Sequence, residues 1–126
     1  MNDGTTLIHK ELTEKIIGAA MTVLNELRPG LDEKLYENAL VIELAEMGLR
    51  ADEQRQFTVR YKGHVIGKLT PDLIVEDLVI VETKVAECFT DSHVAQVLGY
   101  LAIAELRVGL LLNFKHDKLK WKRLVR

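Results

Sequence analysis

The sequence predicts an α/β protein, one domain in which helices flank a mixed central sheet in the order αα-βββ-α-β, with room for a last edge strand. Three observations predict it. The apolar period is helical up to about Met47, becomes strand-like after Gly48, and is helical again around residues 91–105. The run RVGLLLNF is apolar without a break, which suits a strand covered on both faces. The chain has only two prolines, Pro29 and Pro71, and no repeat, low-complexity tract or linker, so its 126 residues form a single unit, 1–126, around one core.

The first helix runs from about Ile8 to Leu27. Leu12, Ile16, Ala19, Ala20, Val23, Leu24 and Leu27 recur at spacings of three and four, and Pro29-Gly30 ends it. A second helix spans about Asp32 to Met47, with Tyr36, Leu40, Leu44 and Met47 as its stripe and Gly48 as its stop. Gln54–Tyr61 and His64–Leu69 alternate around Lys62-Gly63 and read as a hairpin. Pro71–Val75 and Leu78–Lys84 form the next pair around Glu76-Asp77. A third helix fits Asp91–Glu105, capped by Asp91 or Ser92, with Val94, Val97, Leu98 and Leu101 inward. LKWKRLV suits an edge strand.

Hydrophobic residues are 48% of the chain and charged residues 29%, which excludes a disordered chain. The formal charge is 17 − 19 = −2, so the total does not by itself demand a nucleic-acid partner. The final stretch KHDKLKWKRLVR is nonetheless basic and could contact phosphates, or form a solvated charged edge. No apolar run approaches a membrane span, and MNDGTTLIHKEL lacks the basic start and apolar core of a signal peptide. Cys88 is the only cysteine, which rules out an internal disulfide, and it reads as a half-buried small hydrophobe. These features predict a cytoplasmic protein without a membrane partner.

The segment TPDLIVEDLVIVETKVAE, residues 70–87, carries the chemistry. Its strands look like core, yet they hold Asp72, Glu82 and Lys84, and charged side chains are rarely buried unless paired or bound to metal. In a strand Glu82 and Lys84 share a face with Leu78 and Ile80, about 6–7 Å apart. Asp72, on the preceding strand, can bring a second carboxylate. Two convergent carboxylates suit a hard divalent cation such as Mg²⁺. A lysine beside them can orient water or stabilise charge on a phosphate. The bland alternative is a surface ion pair worth at most about 1 kcal/mol, with Asp72 capping a turn.

Three further features bear on that choice. Glu33 falls on the apolar stripe of the second helix, three residues before Tyr36 and seven before Leu40. A carboxylate there wants a partner, although it also suits the helix dipole. Gln96 and Tyr100 share one face of the third helix, which is also consistent with an ordinary amphipathic boundary. Register adds a condition. A two-residue hairpin at Glu76-Asp77 pairs Val75 with Leu78 and sets Asp72 opposite Val81, on the wrong face. A joint site therefore requires one extra residue: a three-residue loop Glu76-Asp77-Leu78, or a bulge near Pro71-Asp72.

Read together, GLDEKLY (Gly30, Glu33, Tyr36), PDLIVEDLVIVETK (Pro71, Asp72, Glu82, Lys84) and QVLGY (Gln96, Tyr100) resemble the GxxExxY family, a RecB-like branch of the PD-(D/E)XK nuclease superfamily. VGLLLNF resembles that family's strand ending in Asn-Phe, and the likeness runs in order from about Leu12 to Phe114. Asn25 stands where relatives often carry His. The resemblance implies a restriction-endonuclease-like core and a Mg²⁺-dependent nuclease acting on nucleic acid, most simply DNA, with Mn²⁺ as a substitute metal. It implies Glu33, Asp72, Glu82, Lys84 and Gln96 as catalytic residues. Asp72, Glu82, Glu33 and the Thr83 carbonyl would be the metal ligands, and Tyr36 and Tyr100 would position substrate. A different class of function also fits: a non-catalytic binding or scaffold protein on a nuclease fold, acting as a homo-oligomer. The near-neutral charge and lack of an appended DNA-binding module favour that alternative, and the intact acid–acid–lysine set favours the enzyme.

Overall fold

A computed structural model describes residues 8–126. The expectation that the N-terminus carries no leader rests mostly on residues 1–7, outside that range. Helix α1 is Lys10–Leu27 and α2 is Glu33–Glu46. Ile16, Ala20, Leu24, Tyr36, Leu40 and Leu44 are buried between them and the sheet, each large side chain contributing roughly 1.5–3 kcal/mol by leaving water. Helix α1 ends where Arg28 turns left-handed at φ 66, its N–H donating to Leu24 O at 2.8 Å. The stripes are narrower than expected, since Leu27 is 38% and Met47 43% exposed. Leu27 is the last residue of its helix and Met47 the cap of the next, where the helical stripe ends.

A five-stranded sheet follows in the order β1-β4-β5-β6-β7, built from Ala51–Glu53, Leu73–Val75, Val79–Lys84, Val108–Asn113 and Lys120–Val125. Only β5 and β6 are parallel. Helix α3, Asp91–Ala104, makes the crossover between them. Helices α1 and α2 cover the face holding Val79, Val81, Leu110 and Leu112. Helix α3 covers the other, with Ile80 and Leu111. This is the expected mixed sheet flanked by helices. It explains why β6 is buried at all six positions.

Three details differ from expectation. The cap of α3 is Thr90, whose Oγ1 accepts from His93 N at 3.2 Å while His93 Nδ1 accepts from Thr90 N. The extended backbone of Thr90 supplies that geometry, and Asp91 and Ser92 are already helical. Leu98 is 38% exposed, turned away from the sheet. Cys88 is exposed on the β5–α3 loop rather than half-buried.

The hairpin β2–β3, Phe57–Tyr61 and His64–Leu69, forms a separate two-stranded sheet. Lys62 and Gly63 turn it with φ 48 and φ 80, and a bulge near Val59/Arg60 leaves Ile66 without a partner.

The β4–β5 turn contains the extra residue that the charges required. Val75 pairs with Val79, Ile74 with Ile80 and Leu73 with Val81, so Glu76, Asp77 and Leu78 form a three-residue loop. Glu76 and Asp77 are both left-handed, at φ 54 and φ 58, which non-glycine residues adopt only when held. Arg50 holds them: its N–H donates to Glu76 Oε2 at 2.7 Å and its guanidinium to Asp77 Oδ2 at 2.6 Å. Arg55 bridges Asp77 and Asp52.

Gly109 sits where α3 presses on the sheet. A Cβ there would lie 2.5 Å from Val97 Cγ1, a short, stiff side chain that cannot swing away. Gly109→Ala should therefore destabilise the fold by about 1–3 kcal/mol, and adding Val97→Ala should recover part of the loss. Equal urea midpoints for parent and Gly109→Ala would mean that α3 does not rest on β6 at this point.

Candidate functional site

Glu82 and Lys84 end β5 on the α3 face. Glu82 is buried at 3% exposure and Thr83, on the other face, is fully buried. Lys84 is half-buried. One step past the Leu73–Val81 pair, the register brings Asp72 opposite Glu82. Asp72 N donates to Glu82 Oε2 at 2.5 Å. In return Asp72 Oδ2 accepts from Thr83 N at 2.9 Å and from Thr83 Oγ1 at 3.1 Å. The two strand ends are thus latched by their own acids.

Helix α3 supplies the other wall. Lys84 Nζ donates to Gln96 Oε1 at 3.1 Å, and Gln96 Nε2 donates to Tyr100 Oη at 3.0 Å. The i,i+4 spacing of Gln96 and Tyr100 lets one helix face hold the ammonium in a relay. From the first turn of α2, Glu33 Oε1 accepts from Val85 N at 3.1 Å, just beyond β5.

Burial first, and the Asp72 carboxylate second, push the Glu82 carboxyl up from 4.5 to about 8; Lys84 opposes this and Glu33 adds to it. Burial also raises the Tyr100 hydroxyl, with Glu82 adding to the effect. The site thus holds a carboxyl out of water beside a second acid. Its donors are oxygens, and that donor chemistry fits a hard divalent cation. Among the described residues no three His, Cys, Asp or Glu side chains form a ready metal-holding group. Asp72 meets Glu82 through its backbone N–H while its own carboxylate lies on Thr83, and the Glu33 carboxylate reaches across only to the Val85 N–H.

Tyr36 does not meet its expected role of positioning substrate. It is fully buried, stacked on Phe114 at 4.8 Å between ring centroids. Its hydroxyl donates to Arg28 O at 2.6 Å and accepts from Leu31 N at 3.1 Å. With both hydrogen-bonding capacities spent on the α1–α2 loop, it orients the start of α2, and through it Glu33.

Two polar residues escaped the sequence reading. Glu37 is 3% exposed and bonded to Lys34 Nζ at 2.5 Å. Burial raises its carboxyl, Lys34 opposes, and Asp72 adds to the rise. The signal was available: Glu37 lies three residues before Leu40 and seven before Leu44, on the buried stripe. Asn113, paired in register with Lys84, donates to Ala86 O at 2.7 Å and accepts from Ala86 N and Lys115 N. It pins the chain leaving the site, and a lone amide at the end of a buried strand is its signature.

The family model described as the PD-(D/E)XK nuclease superfamily matches residues 10–124. Among solved structures, an alkaline exonuclease from Laribacter hongkongensis is similar at 13% identity and a TM-score of 0.41, over 90% of this chain and 82% of that one. No curated protein matches the chain.

Proposed function

Because the chain belongs to the PD-(D/E)XK nuclease superfamily, we propose that it is a Mg²⁺-dependent nuclease of the GxxExxY group that hydrolyses phosphodiester bonds in DNA. The observation that carries this reading is the bond from Asp72 N to Glu82 Oε2 at 2.5 Å, which sets two acids at one strand end with Lys84 two residues away. Asp72 and Glu82 would hold the cation, with Glu33 and the Thr83 carbonyl as further ligands and Mn²⁺ as a substitute. When bound, the cation acidifies water and offsets charge on phosphate oxygens.

The remaining roles belong to the chain. Lys84 places its ammonium beside the two acids, where it stabilises charge developing on the phosphate. Gln96 holds that ammonium through Oε1 and is itself oriented by Tyr100. Tyr100 keeps a hydroxyl proton to donate, since its Oη serves Gln96 as an acceptor. The protein works in the cytoplasm, in keeping with a lone free cysteine. No helix among the described residues is long and apolar enough to cross a membrane.

A scaffold reading draws support from the Asp72 carboxylate, whose Oδ2 is taken up by two bonds from Thr83. One experiment separates the two. Calorimetry with Mn²⁺ should give clear binding to the parent and a loss of at least about tenfold in Asp72→Ala, as for a removed ligand. Plasmid and single-stranded DNA should be cut only when metal is present. Equal Mn²⁺ affinity in parent and variant removes the site as assigned. Metal binding without cleavage of either DNA favours the scaffold.

A further inference from the structure

We propose that the β2–β3 hairpin is an arm that grips the nucleic-acid backbone beside the site, an inference that rests on the nuclease reading and identifies where its substrate is held. Residues 57–69 contain Arg60, Lys62, Lys68 and His64 and no acid, in a chain whose total charge is −2. Among the described residues, none of the three permanent cations pairs with a carboxylate. Arg50 and Arg55, immediately before the arm, are both committed to acids.

The arm is also uncovered. Every residue from Arg60 to Lys68 is exposed, including Tyr61 at 61% and Ile66 at 64%. Only its root is seated, with Phe57 packed against the α3-side core. A lone two-stranded ribbon is marginal in water, so one this exposed gains from a partner. Its charge decides which kind. Thr58 pairs with Lys68, and Arg60 follows Thr58 at strand spacing, so Arg60 and Lys68 share one face. At the tip the Lys62 ammonium lies 5.5 Å from the Tyr61 ring centroid, which presents a cation and an aromatic face together. Cations interleaved with an aromatic ring match a strand of phosphates and bases.

Position supports the same partner. The arm leaves the sheet after β1 and returns through Leu69-Thr70-Pro71 directly into Asp72. Its root is closed by Gln54 N donating to Asp72 O at 3.5 Å. A phosphate drawn to a cation at Asp72 and Glu82 would therefore lie at the foot of the arm, and the flanking backbone can run along its basic face.

The test compares two variants of equal charge loss: Arg60→Gln/Lys68→Gln on the arm and Lys10→Gln/Lys15→Gln on α1. Anisotropy with labelled single-stranded and duplex oligonucleotides, in EDTA to prevent cutting, is titrated across salt. For single strands the arm variant should lower the slope of log affinity against log salt by about 1.4, two contacts of about 0.7 each. Its affinity at low salt should fall roughly tenfold, while the α1 variant keeps the parent slope. An arm variant that matches the parent overturns the inference, as does equal loss in both variants. If the parent cuts DNA in Mg²⁺ and the arm variant has the same KM, the arm is wrong and the nuclease reading stands. If binding depends on the arm but nothing is cut, the arm is supported and the nuclease reading fails. A parent that binds no oligonucleotide in EDTA overturns the arm, and one that also cuts none in Mg²⁺ overturns both. A parent that is a dimer, made monomeric by Ile66→Asp with nucleic-acid affinity intact, overturns the arm alone, since a second copy then covers the ribbon.

Discussion

Lys84→Ala is expected to lower DNA cleavage by about 10²–10³-fold, the range for losing one preorganised donor to transition-state charge. Lys84 is half-buried, held at 3.1 Å by Gln96, and its charge opposes the rise of the Glu82 carboxyl. Removing it takes away the ammonium and frees Gln96 Oε1 without opening the core, because the fully buried side chains lie behind it on β5. The variant should fold, melt close to the parent and bind DNA within a few-fold. The loss should therefore fall on kcat. Lys84→Arg should not rescue, since a planar guanidinium cannot take the place of a compact ammonium in a site built to its length. Cleavage at the parent rate in Lys84→Ala would refute the assigned mechanism.

The second large effect is on stability. Without metal, the protein should become less stable as pH rises from about 5 to above 8. Glu82 sits at about 8 in the fold against an ordinary 4.5. Between those values the folded chain keeps a proton that the unfolded chain has released. The unfolded state then binds fewer protons, and stability falls with pH. The contribution is fully present below about 4.5 and is lost as pH climbs through about 8. At 1.36 kcal/mol per unit its size is on the order of 5 kcal/mol. Glu37 is shifted in the same direction, so the useful quantity is the difference between parent and Glu82→Gln in urea unfolding with EDTA. The variant should match the parent near pH 5 and be the more stable by several kcal/mol near pH 9. Mn²⁺ near pH 8.5 should raise the parent's midpoint and leave that of Glu82→Gln nearly unchanged, because metal binds the deprotonated acid. Parallel pH profiles for the two proteins would mean that Glu82 is not the buried proton holder.

Much of this was legible before any coordinates. Apolar period located the helices and strands, since it reports which face leaves water whatever the partner turns out to be. It missed the three-residue β1, too short for alternation to register. It could not tell that β2 and β3 leave the main sheet, since a hairpin reads the same wherever it docks. It credited Leu98, Leu27 and Met47 with burial, although spacing alone cannot say how far a neighbouring sheet extends. The motif residues were readable, but their use was not. Tyr36 lies in a signature segment, yet its hydroxyl serves Arg28 and Leu31. Glu37 falls on the buried stripe by spacing, yet only the packing of α2 shows that its carboxyl goes in with it.

The amino-acid sequence by itself determined the α/β class, the order of most elements, the acid–acid–lysine set and the Gln96–Tyr100 helix face. Each of these depends on short-range spacing along one chain segment. It also showed that Asp72 and Glu82 can share a face only if one residue is added between their strands. The tertiary structure alone decided that the residue is added, with Val75 paired to Val79. Leu73, Ile74 and Val75 are buried on both faces of the sheet, so hydrophobicity does not distinguish one register from its neighbour. The choice falls to the left-handed pair Glu76–Asp77, which Arg50 and Arg55 hold from either side of β1. Those partners lie more than twenty residues away along the chain, and only the folded sheet brings their charges onto that turn.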